Sequence, residues 1–141
     1  MAALLALLCA APSTAAQTPA VRLVFFTADW CPNCQVLEPA LASALSRVEG
    51  VARLDIDVTN ALRREESRVQ ARAANVTRLY DAYAGRTGFA VIARADTGET
   101  IGCVTSVYSA AEIEAALRSA VRSVRSPAVS TRRIAGACPG A

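Results

Sequence analysis

The chain has 141 residues, a mass of 14.7 kDa and a net charge of +3, which is the size of one ordinary domain. It contains no His, and all 15 basic residues are Arg, so histidine-based acid–base catalysis, His-ligated zinc and a lysine Schiff base are excluded. Near the C-terminus Arg118, Arg122 and Arg125 recur at helical spacing. This pattern is typical of a solvated helix face, and we expect no nucleic-acid partner.

The first twenty residues carry no charged side chain. An apolar run from Leu4 to Ala11 is followed by Pro12 and by small residues up to Ala16, which predicts a cleaved secretory signal over residues 1–16. The alternative is a frayed N-terminal extension. The run is too short to cross a bilayer, so we expect no stable membrane span after cleavage. With a composition rich in Ala and Arg, the sequence predicts a bacterial protein that is periplasmic or otherwise exported.

The first half of the mature chain has a strand–helix–strand pattern. Val21 to Phe26 is a short apolar run and predicts a buried strand. A helix is expected to open at Cys31, with Pro32 in its first turn, where the missing N–H needs no partner, and Gly50 is expected to end it. Val51 to Val58 alternates in hydropathy and predicts a second strand. A right-handed parallel crossover follows from this order.

The second half continues with helix, two strands and helix. The predicted elements are a helix over residues 60–84 broken near Asn75, strands over Phe89–Ala95 and Glu99–Ser106, and a last helix ending near Ser126. A capping box, Ser109 with Glu112, marks the start of the last helix. We expect one domain over residues 17–126 and a flexible tail over residues 127–141. The order β-α-β-α-β-β-α predicts an α/β fold.

One cysteine spacing is distinctive, Cys31-Pro32-Asn33-Cys34. It lies where the first strand meets the first helix, at the carboxyl end of a strand, which is where open α/β sheets place their sites. The N-terminus of a helix stabilises a nearby anion, so Cys31 is expected to react as the thiolate nucleophile. Cys34, one turn further, is placed to resolve a mixed disulfide formed on Cys31.

The sequence supports the other interpretations of the cysteines to different degrees. Half a zinc site is disfavoured because the chain has no second Cys-x-x-Cys pair and no His; a purely structural disulfide remains an alternative. Loss of Cys9 with the signal leaves an even number of cysteines, which suits an oxidising compartment. Cys103 and Cys138 are therefore a possible second disulfide that pins the tail across the sheet edge. Alternatively, Cys103 is a buried inert thiol and Cys138 a free one.

The stretch from Thr27 to Cys34, followed by Glu38 and Pro39, resembles the active site of the thioredoxin family. It is most similar to the C-terminal thioredoxin-like domain of DsbD-type thiol:disulfide interchange proteins, over residues 21–122. The resemblance implies a thioredoxin-like fold with a mixed central sheet flanked by helices. It implies these roles: attacking thiol for Cys31, resolving thiol for Cys34, proton transfer at the buried sulfur for Glu38, a flanking indole for Trp30, and active-site flank for Pro32 and Asn33.

Two positions depart from the family pattern. Phe25 stands where family members usually carry a buried Asp in the first strand. Residues 86–90 contain no proline, although the family places a cis-proline here, facing the cysteine pair. A cis bond before a residue other than proline is costly, so we expect a trans loop near Gly88.

The sequence therefore predicts an exported thiol–disulfide oxidoreductase that acts on protein disulfides or dithiols through the Cys-Pro-Asn-Cys pair. No metal and no cofactor beyond the dithiol are expected. The expected partners are a protein substrate with a disulfide or dithiol and an upstream redox protein that resets the pair. Two alternatives remain open. One is a copper(I)-binding module, for which a chain with one Met is poorly equipped; the other is a redox-inactive thioredoxin-like scaffold.

Overall fold

The computed structural model describes residues 18–126 and 135–140. The elements, in chain order, are β1 (Val21–Thr27), α1 (Pro32–Leu45), β2 (Val51–Asp57), α2 (Ala61–Ala73), α3 (Thr77–Tyr83), β3 (Phe89–Arg94), β4 (Thr100–Thr105) and α4 (Ala110–Arg125). Within these ranges, the helices are too short or too polar to span a lipid bilayer. The signal peptide predicted over residues 1–16 lies outside the described residues. The division into domain and tail stays a prediction.

The four strands form one mixed sheet in the order β2-β1-β3-β4. β1 pairs with β2 in parallel, whereas β3 pairs antiparallel with both β1 and β4. The parallel pairing of β1 with β2 that the strand–helix–strand order predicted is therefore confirmed. These directions place the carboxyl ends of β1, β2 and β4 and the amino end of β3 at one end of the sheet.

Helices cover both faces of this sheet. Successive side chains of a strand point to opposite faces. The buried rings of Phe25 and Phe26 therefore lie on opposite faces of the sheet, each beneath the helices that cover that face. The Phe26 ring stacks on Phe89 at 5.1 Å and meets the edge of Tyr83 of α3 at 5.7 Å. α3 packs beside α2, which also covers β2, whereas α1 packs against α4. The expected α/β architecture with a mixed central sheet flanked by helices is confirmed.

Helix boundaries follow the local signals in the sequence with one exception. Ser109 and Glu112 make both hydrogen bonds of the capping box at the start of α4. Asn75 has a φ of 59° and separates α2 from α3, as predicted, and its side chain donates to the carbonyl of Asp96 at 2.8 Å. α1, however, ends at Leu45 rather than running on towards Gly50.

The early end of α1 coincides with a change in the hydrogen-bond pattern of the backbone. After Leu45 the amides of Arg47 and Val48 bond to carbonyls three residues back, at 3.1 and 3.4 Å, which makes a tighter turn than an α-helix. Val48 still reaches the core and is 8% exposed. The side chain of Val48 therefore contributes to the core although the residue lies beyond the end of α1.

Residues 135–138, called here the C-terminal strap, lie against the outer edge of β4. The amide of Cys103 donates to the carbonyl of Gly136 at 3.0 Å, and a disulfide joins Cys103 to Cys138 with 4.9 Å between their Cα atoms. A Cβ on Gly102 would lie 2.7 Å from that of Ala135, so a glycine is needed for this close approach. This part of the segment predicted as a flexible tail is thus docked on the sheet.

Candidate redox site

The Cys31–Cys34 pair lies at the end of the sheet where β1 passes into α1. Cys31 is the N-cap of α1, with extended backbone angles, and Pro32 occupies the first turn. The structure joins the two cysteines in a disulfide with 5.3 Å between their Cα atoms. Both residues are only 4% exposed, so the disulfide is covered except at a narrow surface.

The two sulfur atoms have different surroundings. Sγ of Cys31 accepts a hydrogen bond from the backbone N–H of Cys34 at 3.2 Å. Sγ of Cys34 instead lies 3.8 Å from the carbonyl oxygen of Phe26. An N–H donor at a helix N-terminus stabilises negative charge on sulfur, whereas a carbonyl oxygen opposes it. After reduction, this arrangement favours a thiolate at Cys31 and a neutral thiol at Cys34.

The loop before Cys31 is anchored by the end of β2. The Thr59 hydroxyl donates to the Asp57 carboxylate at 2.5 Å and accepts from the backbone N–H of Asp29 at 3.0 Å. The indole N–H of Trp30 donates to the carbonyl of Thr59 at 3.3 Å. Trp30 is nevertheless 61% exposed, so its ring is tethered at one atom and is open to a partner over most of its surface.

The residue that faces the disulfide from the amino end of β3 is Gly88. Its φ is +87°, and its N–H donates to the carbonyl of Phe26 at 3.0 Å. A Cβ here would lie 2.9 Å from the Cβ of Asn33 and 3.6 Å from Sγ of Cys31. The described residues contain no cis peptide bond, in agreement with the trans loop expected from the sequence. Glycine lets the backbone approach the cysteine pair closely at this position.

Glu38 lies one turn after Cys34 on α1. Both residues line an open cavity of about 290 Å³, together with residues 27–29 and Gln35. The carboxylate is also engaged by Arg53 of β2, whose Nη1 and Nη2 donate to Oε1 and Oε2 at 2.8 and 2.6 Å. Sequence reasoning placed Arg53 as a polar residue of an alternating strand and missed this contact. The only local indication of such a contact in the sequence is that Arg53 stands near Asp55 and Asp57 in β2.

Phe25, one of the two departures from the family pattern, fills the space beneath this ion pair. It is 1% exposed, and the guanidinium carbon of Arg53 lies 5.4 Å from its ring centroid. An apolar ring therefore stands where the family's buried carboxylate would be expected. Two acidic side chains, Asp29 and Glu38, line the cavity that Cys34 also lines, and Glu38 is the one that lies on α1 one turn after Cys34.

Comparison with known families supports this architecture. Residues 13–74, which include β1, the cysteine pair, α1 and β2, match the family model described as Thioredoxin. The fold is thioredoxin-like. A search of curated proteins finds no significant match.

Several solved structures resemble this thioredoxin-like domain at low sequence identity. Trxlp from Edwardsiella tarda EIB202 has 17% identity, covers 70% of this chain and 82% of its own, and gives a TM-score of 0.47. A mutant thioredoxin from Halobacterium salinarum NRC-1 has 23% identity, covers 73% and 76%, and gives 0.49. StoA from Bacillus subtilis has 12% identity, covers 70% and 82%, and gives 0.45.

Proposed function

We propose that this chain is an exported thiol–disulfide oxidoreductase that acts on disulfides or dithiols of protein substrates. The observation that carries the proposal is the unequal pair of sulfurs at the α1 N-terminus: Cys31 receives a backbone N–H donor, and Cys34 faces a carbonyl. A thioredoxin-family match over the same segment supports it. Export is supported by the predicted signal over residues 1–16 and by the even number of cysteines left after its removal.

In the proposed reaction the Cys31 thiolate attacks a sulfur of the client disulfide. A bond forms between Sγ of Cys31 and that sulfur, the client disulfide breaks, and its other sulfur leaves with the electron pair and takes up a proton. Sγ of Cys34 then attacks Sγ of Cys31, which releases the client as a dithiol and leaves the Cys31–Cys34 disulfide. The client has gained two electrons, which an upstream dithiol protein must restore to the pair by the same exchange in reverse.

Glu38 is proposed to accept the proton that Cys34 gives up in the second step. The carbonyl of Phe26, 3.8 Å from Sγ of Cys34, favours the neutral thiol, so the attack requires a base. The cavity that Cys34 and Glu38 share is large enough for water molecules to carry the proton. General bases of this kind contribute about 10²-fold or more to a rate.

The surface around the pair fits a polypeptide client. Trp30, Leu62 and Val107 follow the ends of β1, β2 and β4, and they are 61%, 69% and 84% exposed. All three residues stand in the segments that follow the strand ends at which the disulfide lies. Exposed apolar side chains that form one patch are typical of a protein-binding surface. The proposed client is a protein whose disulfide is flanked by apolar side chains.

The test is the reduction of insulin by dithiothreitol, followed by turbidity. The wild-type protein is expected to accelerate the reaction, and Cys31→Ser is expected to abolish that acceleration. Cys138→Ser, which removes a cysteine from the other disulfide, is the matched control: it should remain active at temperatures below its own unfolding transition, because it leaves Cys31 and Cys34 in place. An inert wild-type protein would contradict the proposal: stoichiometric copper(I) binding would then indicate a metal-binding module, and its absence a redox-inactive scaffold.

A further inference from the structure

The guanidinium group of Arg53 fixes both oxygens of Glu38. The two hydrogen bonds run in parallel, Nη1 to Oε1 at 2.8 Å and Nη2 to Oε2 at 2.6 Å. A bidentate pair of this kind sets the plane of the carboxylate as well as its distance. The orientation of Glu38 therefore depends on a residue of β2, fifteen positions away in sequence, and not on α1 alone.

Arg53 is itself held on two further sides. Its Nε and Nη2 donate to the two oxygens of Asp55 at 2.7 and 3.0 Å, and its guanidinium lies over the buried Phe25 ring. The hydrogen bond with Glu38, opposed by partial burial and reinforced by Asp55, raises the pKa of Arg53 above its ordinary value. Arg53 is consequently a cation with a fixed position at every pH at which disulfide exchange is measured.

We propose that Arg53 is a positioning residue for the resolving step: it holds the Glu38 carboxylate, charged and oriented, at the cavity that Cys34 also lines. This inference rests on the proposed function. In the step concerned, the Cys34 thiol gives its proton to Glu38 and its sulfur bonds to Sγ of Cys31. The bond from Cys31 to the client breaks, and the client sulfur leaves with the electron pair and takes up a proton. Arg53 gains and loses no atom or electron.

The experiment separates attack from resolution with Ellman's reagent, 5,5′-dithiobis(2-nitrobenzoate), as the probe. In protein whose Cys31–Cys34 pair has been reduced, attack by Cys31 releases one coloured thiolate, and resolution by Cys34 releases a second. Arg53→Met is expected to slow the second release by about ten-fold at neutral pH and to leave the first unchanged, because only the base of the second step is misplaced. A general loss of folding would slow both.

The matched control is Arg94→Met. Arg94 donates through Nε and Nη2 to Asp96 two residues later, which reproduces the Arg53–Asp55 geometry away from Glu38. Both releases should keep their wild-type rates in this variant. Arg53→Lys keeps the charge but loses the planar fork, so its second release should fall between those of the wild type and Arg53→Met. Arg53→Lys also decides the question if Arg53→Met does not fold.

The decisive comparison is made in a protein that already carries Glu38→Gln. If Arg53 acts through Glu38, adding Arg53→Met or Arg53→Lys to Glu38→Gln should slow the second release no further. A slowdown that persists in that background, equal slowing of both releases, or the same slowing in Arg94→Met would overturn the inference. A wild-type protein that shows no second release would instead overturn the proposed function, so the two failures are distinguishable.

Discussion

Replacing Cys138 by Ser should release the C-terminal strap and cost a large part of the stability of the domain. The disulfide from Cys103 to Cys138 joins residues 35 positions apart. In the chain-entropy account, a cross-link over a loop of this length lowers the free energy of folding by about 4 kcal/mol at 25 °C. The cross-link restrains the unfolded chain, so this loss should appear even though the sheet itself is unchanged.

The assay is guanidinium unfolding of the oxidised proteins, followed by circular dichroism, without a reducing agent. The unfolding free energy of Cys138→Ser is expected to fall by about 4 kcal/mol, and its melting temperature by roughly 15 °C. The double variant Cys31→Ser/Cys34→Ser is the control, because its disulfide spans only three positions and should contribute about 2 kcal/mol.

Hydrogen exchange adds a local measurement at the same site. The amide of Cys103 donates to Gly136 of the strap, so its exchange should accelerate in Cys138→Ser. An unfolding free energy within about 1 kcal/mol of the wild type, together with unchanged exchange at Cys103, would refute the reasoning, since a strap that restrains nothing cannot stabilise the fold.

Three further predictions concern single groups. With the pair reduced, iodoacetamide at mildly acidic pH should label Cys31 before Cys34; equal labelling in the mass spectrum would contradict their assigned roles. Glu38→Gln should slow the resolving step of disulfide exchange by about 10²-fold near neutral pH while the protein stays folded; unchanged rates between about pH 6 and pH 9 would remove Glu38 from the proposed mechanism. Hydrogen bonds from Ser109 lower the pKa of Glu112 from its ordinary value of 4.5. The charged form therefore stabilises the fold at neutral pH, and the stability difference between wild type and Glu112→Gln should vanish as the pH falls through that lowered pKa.

Much of the fold was predictable because its signals are local. The alternation in Val51–Val58 predicted β2, the capping box at Ser109 predicted the start of α4, and the polar break at Asn75 separated α2 from α3. Each of these depends on residues within one or two turns of each other. The position of Cys31 at the junction of β1 and α1 followed from the same kind of pattern.

The contacts that could not be predicted from the sequence are those between distant segments. Arg53 meets Glu38 only because β2 lies beside β1 and α1 crosses that face of the sheet. Whether Cys103 and Cys138 are joined depends on where the chain returns after α4, and no local pattern around either cysteine specifies that. The approach of Gly88 to Cys31 likewise follows from the pairing of β1 with β3.

The most direct test of the central claim is to trap the intermediate in which Cys31 is joined to a client. The reduced Cys34→Ser variant is mixed with a peptide that contains one disulfide flanked by apolar residues, and the products are analysed by intact-mass and fragment spectrometry. The account predicts a stable peptide adduct on Cys31, none in Cys31→Ser, and in the wild type only reduced peptide with the Cys31–Cys34 disulfide. An adduct that forms equally well on Cys34 in Cys31→Ser, or no adduct in either variant, would contradict it.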